Sequence, residues 1–383
     1  MRCTVRRAQP LTVVSLILSL LLLSPNIAAA KGPGGKILYG TPDALVSAAP
    51  DGSNKKILYN ADGVVPEPLT VSPDGTKASF LQWVASANHW VMRVVNLSTR
   101  STTTVVPPPA LPWSAADDLV AGVWSHDSSK IAVNRSVQGL WTVKPNGKRL
   151  TRLIKGGTAN YSWSRNDSKI AFNRLKGKTG QGPIYYFDLK TDELHKIGTG
   201  YRPRWSPTDD LIAATHYSSG GRVKIFDLNG DVVLKGPVLT GTATADWTPD
   251  GAGLIVAMGS LGDDPAEVFY LPADGTDPTT IASLNAGYFL APMYSPNQKQ
   301  MAFFACHTRP PCASRDRHVI FMAGIHGEDP IEALARKDFL IPVAWSPRST
   351  ALLVCADEGL RYFFKDKLSK VRGVNTCNAG WAK

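Results

Sequence analysis

Seven histidines, five cysteines and a scatter of basic residues are the candidates for chemistry in this chain. His89, His126, His195, His216, His307, His318 and His326 show none of the paired spacing that a metal site uses. His126 occupies a turn position that holds proline in sister segments, so it reads as a solvated turn residue. His216, His307 and His318 fall in or beside loops on one expected face, where chance grouping outweighs a metal site. No Gly-x-Ser-x-Gly elbow presents a serine, and a catalytic triad has no home. The residues therefore assign no catalytic group, metal or cofactor.

The cysteines point to a compartment instead. Cys3 belongs to an N-terminal segment that reads as a signal, which leaves an even set suited to oxidising conditions. Cys306 and Cys312 are close enough to staple one loop, and Cys355 with Cys377 would then tie a late strand to the C-terminal tail. Four cysteines allow three pairings, and spacing does not choose among them. A zinc site is the rival reading, against which the irregular spacing speaks.

The elements that must position these groups are repeats. Seven segments share an aromatic or apolar residue, a Ser or Thr, a turn, and a short apolar strand. Val71-Ser72-Pro73-Asp74-Gly75, Trp124-Ser125, Trp163-Ser164, Trp205-Ser206-Pro207, Trp247-Thr248-Pro249-Asp250-Gly251, Tyr294-Ser295-Pro296 and Trp345-Ser346-Pro347 open them. Successive Ser/Thr positions lie 53, 39, 42, 42, 47 and 51 residues apart. A period near that of propeller blades, with strands and almost no helical periodicity, predicts an all-β fold. Proline and Asp or Asn set the turn, glycine tolerates positive φ, and the hydroxyl bonds local backbone. The aromatic is large enough to fill the gap between blades. We therefore expect a single β-propeller of seven or eight four-stranded blades, closed by N- and C-terminal strands. Lys36–Tyr39, Ala44–Ser47 and Lys56–Tyr59 look like a blade lacking its first strand, which Asn375–Trp381 could supply.

In such a ring, the loop after the second strand and the loop leading into the first share one face. That face collects Arg174, Lys176 and Lys178, then His216 and Arg222, then His307, Arg309, Arg315 and Arg317. Tyr201, Arg202, Arg204 and Tyr288 join them, while Asp263 and Asp264 are the main opposing charges. A basic face with interleaved aromatics suits an acidic protein segment or an anionic glycan.

Residues 1–30 carry Arg2, Arg6 and Arg7, then the apolar run Leu11–Leu23, then Ala28-Ala29-Ala30. That order predicts a Sec-type signal peptide cut after Ala30, with residues 31–383 forming the propeller and no membrane segment left after cleavage. The mature part would hold 39 Lys+Arg against 31 Asp+Glu, a modest surplus with no polybasic arm. Export and that dispersed charge argue against nucleic acid as a partner. Asn-x-Ser triplets at Asn96, Asn134, Asn160 and Asn166 would matter only in a eukaryotic secretory pathway.

The Trp-Ser-Pro-Asp-Gly-Lys-Ile-Ala-Phe pattern, with Ile-Tyr-x-x-Asp strands behind it, resembles the TolB-like propeller repeat of WD40-like periplasmic proteins. The resemblance spans nearly the whole expected mature chain, without the N-terminal domain of TolB itself. It implies fold far more than function, because such repeats occur in translocation proteins, peptidase gating domains and some lyases. The expected role is an exported, non-enzymatic scaffold in the periplasm or outside the cell, binding an envelope or extracellular protein or an anionic glycan. The alternative is a propeller-type polysaccharide lyase or hydrolase, with or without a metal.

Overall fold

The second strand of each repeat is largely apolar on both of its faces, which suits a strand covered on both sides. In the second repeat, the third blade, Ile131, Ala132 and Val133 are all 0% exposed. Successive side chains point to opposite faces, so Ile131 and Val133 join the core of one neighbour and Ala132 that of the other. The computed structural model describes residues 33–383, except 61–68, 85–88, 107–118, 136–137, 176–181, 216–220, 242, 260–264, 286, 290–291, 308–315, 338–339, 358 and 378.

Eight antiparallel blades result. Blade 1 contains β1 (Lys36–Gly40), β2 (Ala44–Ala48) and β3 (Lys56–Asn60). Blade 2 has β4 (Thr70–Val71), β5 (Lys77–Val84), β6 (His89–Asn96) and β7 (Thr102–Val106). Blade 3 has β8 (Leu119–Trp124), β9 (Ile131–Arg135), β10 (Gly139–Val143) and β11 (Thr151–Arg152). Blade 4 has β12 (Thr158–Trp163), β13 (Lys169–Arg174), β14 (Gly182–Asp188) and the start of β15 (Glu193–Trp205). The end of β15 opens blade 5, followed by β16 (Ile212–Thr215), β17 (Arg222–Phe226) and β18 (Val232–Val238). Blade 6 has β19 (Ala243–Trp247), β20 (Gly253–Met258), β21 (Ala266–Pro272) and β22 (Thr279–Leu284). In blade 7, β23 (Tyr288–Phe289) and β24 (Met293–Tyr294) both pair with β25 (Gln300–Cys306), then come β26 (His318–Gly324) and β27 (Ile331–Arg336). Blade 8 has β28 (Leu340–Trp345), β29 (Ala351–Ala356), β30 (Gly359–Phe364) and β31 (Lys367–Lys370).

The last strand, β32 (Ala379–Ala382), supplies the inner strand of blade 1, with Ile37 opposite Trp381 and Leu38 opposite Gly380. The expected closure is therefore the observed one, and the number is eight. Each of the eight interfaces has its own apolar cluster, including those that blade 1 shares with blade 8 and with blade 2. Cys355 on β29 is bonded to Cys377, just before β32. This is one of the pairings the spacing left open. Cys306 is also disulfide-bonded, and Cys312 lies outside the described residues.

The motif turns work as their chemistry predicts. Ser72, Ser125, Ser164 and Ser295 donate to Asp74, Asp127, Asn166 and Asn297 at 2.6–3.0 Å. Each hydroxyl also accepts the N–H five residues on, as at Lys77, Lys130, Lys169 and Gln300. The fourth turn position is left-handed: Gly75 and Gly251 have φ of 72°. At Gly251 a Cβ would meet Thr208 of blade 5, so glycine permits the close approach of the two blades. At three blades the side chain at this position caps the preceding blade's turn. Ser128 accepts from the N–H of Asp74, Asp167 from those of His126 and Asp127, and Ser349 from that of Asn297.

The motif tryptophans add a second set of links between blades. The indole N–H groups of Trp163, Trp247 and Trp345 reach the carbonyls of Val123, Arg204 and Met293 at 2.8–3.0 Å. Each acceptor directly precedes the motif aromatic of the blade before. Trp124 instead uses the Ser79 hydroxyl, and Trp381 the Gly34 carbonyl. Net values near 1 kcal/mol per bond are usual, so the apolar clusters dominate and the indoles fix orientation.

Two predictions follow from turn and closure. Asp127 is held at about 2 against an ordinary 3.8: burial opposes this, but hydrogen bonds from Ser125 and Ser129 outweigh it, aided by Lys130. A folded value below the unfolded one stabilises above about pH 4, and that contribution is lost as pH falls toward 2. Asp127→Asn keeps the turn, as Asn166 and Asn297 do in sister copies, so the denaturant midpoint should fall less steeply below pH 4. Cys377→Ser should lower unfolding stability by roughly 3 kcal/mol, as expected for a loop of this length, measured by equilibrium denaturation. An unchanged midpoint would mean the bond does not constrain closure.

Candidate functional site

Of the basic-face candidates, Lys176, Lys178, His216, Arg309 and Arg315 lie outside the described residues. The rest fall into two groups. Blades 4 and 5 carry Arg174, Tyr201, Arg202, Arg204 and Arg222 on alternate strands β13, β15 and β17, and blade 7 gathers Tyr288, His307 and Arg317.

Most of the guanidinium groups are already engaged. Arg174 ends β13, donates to the Lys155 carbonyl at 2.9 Å and lies over the Tyr185 ring. Arg222 starts β17 and donates to the Gly236 carbonyl at 2.7 Å. Arg204 joins the inner strands of blades 5 and 6 through a 2.8 Å ion pair with Asp246. Tyr201 stands opposite Thr215, whose hydroxyl donates to the Tyr201 carbonyl.

Arg202 differs. The β15–β16 ladder shifts register between Tyr201 and Arg204, and Arg202 sits in that bulge with φ of 52°. The bulge is a device of the repeat, because Asn160, equally placed three residues before its motif tryptophan, has φ of 51° beside the same shift. Asn160 donates to the Asn173 side chain at 3.0 Å. Arg202 is partly buried and has no hydrogen bond or ion pair among the described residues. A partly buried cation without a counter-charge is costly unless an anion is supplied.

A cavity of about 300 Å³ is lined by the inner strands of blades 3 to 5, including Arg204 and Trp205 of β15 but not Arg202. Ser162 there donates to the Pro203 carbonyl and accepts the Trp205 N–H. The buried Trp205 indole N–H has no partner among the described residues.

In blade 7 Tyr288 stands opposite Cys306 and packs against Phe304, and burial pushes its phenol up. The His307 N–H donates to the Arg317 carbonyl, while Arg317 Nη1 lies 3.4 Å from His307 Nε2 and Nη2 is 2.6 Å from Glu332. Burial, then the Arg317 charge, lowers the His307 pKa, so the ring is neutral near pH 7 and Nε2 accepts.

The other histidines serve the frame. His318 is fully buried in β26, and its Nδ1 accepts the Leu340 N–H. His195 stacks on Tyr186. His126 sits on an exposed turn as expected, yet its Nδ1 lies 2.8 Å from Asp167 of the next blade. His326 bridges Asp250 of blade 6 and its own Glu328 at 2.7 and 3.0 Å. Among the described residues no group of three or more His, Cys, Asp and Glu is placed to hold a metal. Sequence reasoning missed these clasps, and it passed over the charges on the motif-turn face. Sorting the turn residues by blade would have exposed them.

No protein-family model matches this chain, and no curated protein matches it. Solved structures do. An oligogalacturonate lyase in complex with manganese aligns at TM-score 0.55 and 15% identity, covering 84% of this chain and 94% of that one. The C-terminal WD40 domain of Sif2 aligns at 0.55 and 12% identity, covering 80% and 86%. Identities this low show the fold alone, and the fold is that of a β-propeller. TolB from Acinetobacter baumannii aligns at 0.38 and 17% identity, over 64% of this chain and 63% of that one, too weakly to carry the TolB-specific expectation.

Arg317→Ala should raise the titration midpoint of His307, followed by its ring proton resonances, because the like charge that opposes protonation is gone. An unmoved midpoint would show that burial alone sets it.

Proposed function

We propose that this chain is an exported, non-enzymatic propeller scaffold that binds an anionic partner, a protein segment or glycan, on its loop face. The observation that carries this is Arg202: a partly buried guanidinium without a counter-ion among the described residues. Neighbouring Arg174, Arg204 and Arg222 are neutralised or held within the protein, so of these four arginines Arg202 is the one left to meet a ligand. Arg presents a planar fork that matches a carboxylate. Export is supported by the leader-like order of residues 1–30 and by the Cys355–Cys377 bond. No helix among the described residues is long and apolar enough to cross a membrane. The Trp-Ser-Pro-Asp-Gly repeat supports a TolB-like kind of propeller, in the periplasm or outside the cell.

The second reading is a lyase acting on an anionic polysaccharide, favoured by the likeness to an oligogalacturonate lyase over 94% of that chain. Its substrate would be drawn to the same cation.

Pull-down from envelope extract with wild type and Arg202→Glu separates these. The scaffold reading expects one partner whose recovery falls roughly tenfold in the variant, on the scale of a desolvated charge contact, with melting unchanged. Equal recovery of every partner, or turnover of oligogalacturonate by the wild type, would contradict it.

A further inference from the structure

On the opposite face, where the motif turns and the turns between third and fourth strands lie, charge is unevenly spread, although blades 2 to 4 also carry carboxylates such as Asp74, Asp127 and Asp192. The turns of blades 5 to 7 present Asp227, Asp231, Asp250, Asp274 and Glu328. Those of blades 2 to 4 present cations around two adjoining grooves. One, of about 410 Å³ between blades 3 and 4, is lined by Lys130, Lys144, Arg149 and Lys190. The other, of about 370 Å³ between blades 2 and 3, is lined by Lys77 and again by Lys144. Lys144 thus joins them into one track across three blades.

Lys130, Lys144, Arg149 and Lys190 make no ion pair among the described residues, and only Lys77 is paired, with Asp74 at 3.7 Å. Two carboxylates line the first groove: Asp167, already occupied by the His126 and Asp127 N–H groups and by the His126 ring, and Asp192, which makes no ion pair with these cations among the described residues. Side-chain amides of Asn96, Asn146 and Asn166 stand between the cations. No aromatic residue lines either groove. Recognition there must rest on charge and hydrogen bonds, which suits a hydrated polyanion better than a peptide anchored by large apolar side chains.

We propose that this track binds an extended carboxylated glycan chain, its carboxylates meeting the lysines and its hydroxyls the asparagine amides. The acidic turns of blades 5 to 7 repel the same chain and confine it to the basic half. This site is separate from Arg202 and does not depend on the loop-face reading.

The full chain is titrated calorimetrically with hexagalacturonate, neutral galactohexaose and hexaglutamate at low salt. Lys144→Glu/Lys190→Glu should weaken hexagalacturonate binding roughly tenfold or more, with melting unchanged and Arg202→Glu binding as wild type. The neutral sugar should not bind, and added salt should weaken the acidic one. If the double variant fails to fold, Lys144→Gln/Lys190→Gln replaces it, with the same loss expected. Wild-type affinity in a folded track variant overturns the proposal. So does a dependence of hexaglutamate on the track as strong as that of hexagalacturonate. A salt-sensitive dimer that binds no glycan would overturn it too, by showing that basic and acidic halves pair between two copies. Loss in Arg202→Glu alone would move glycan binding to the loop face, overturning the track and leaving the scaffold reading intact.

Discussion

Every blade of this ring is covered on both sides, and that single constraint governs the rest. The second strands send alternate apolar side chains to the two neighbouring blades, as Ile131, Ala132 and Val133 do. Full burial of such side chains is worth about 1.5–3 kcal/mol each, so a blade with one bare face would forfeit much of its stability. An open chain of blades has two bare faces, and only a ring has none. Blade 1 resolves this by taking three strands from one end of the propeller and its inner strand from the other. The Cys355–Cys377 bond anchors the tail just ahead of that strand. Stability is therefore a property of the closed circle and not of any blade.

The sequence made the repeat legible because the turn imposes residue types that packing does not. Ser/Thr, Pro, Asp and Gly recur since the hydroxyl and carboxylate bond the same backbone groups in each copy. The blade count was harder. Trp381 repeats the motif aromatic, but Ala382 stands behind it where the other copies carry the Ser or Thr that marks the turn. Pairing with β1, which depends on the geometry of the whole ring, decided the matter.

The charges of the loop face could also be read from sequence, but their fates could not. Arg204 meets Asp246 because equivalent positions of adjacent blades face one another, and Arg317, just before β26, reaches Glu332 on β27. Arg202 was one arginine among many until its neighbours proved to be engaged. The same holds for the opposite face, where Lys144 and Lys190 gain meaning once turns from different blades share a groove. Uniform turns and tryptophans build the ring, and the variable residues between them give its two faces different chemistry. The left-handed turn position shows both roles: glycine where blades crowd, and Ser128, Asp167 or Ser349 where a neighbouring turn needs an acceptor.

Closure by β32 underlies all of this, and native-state hydrogen exchange tests it directly. The amides that pair β1 with β32, around Ile37 and Trp381, should exchange only through global unfolding, with the same free energy as those in the buried strand β25. Exchange of these amides at the rate of an exposed sheet edge, while β25 stays protected, would contradict a ring held shut by its two ends.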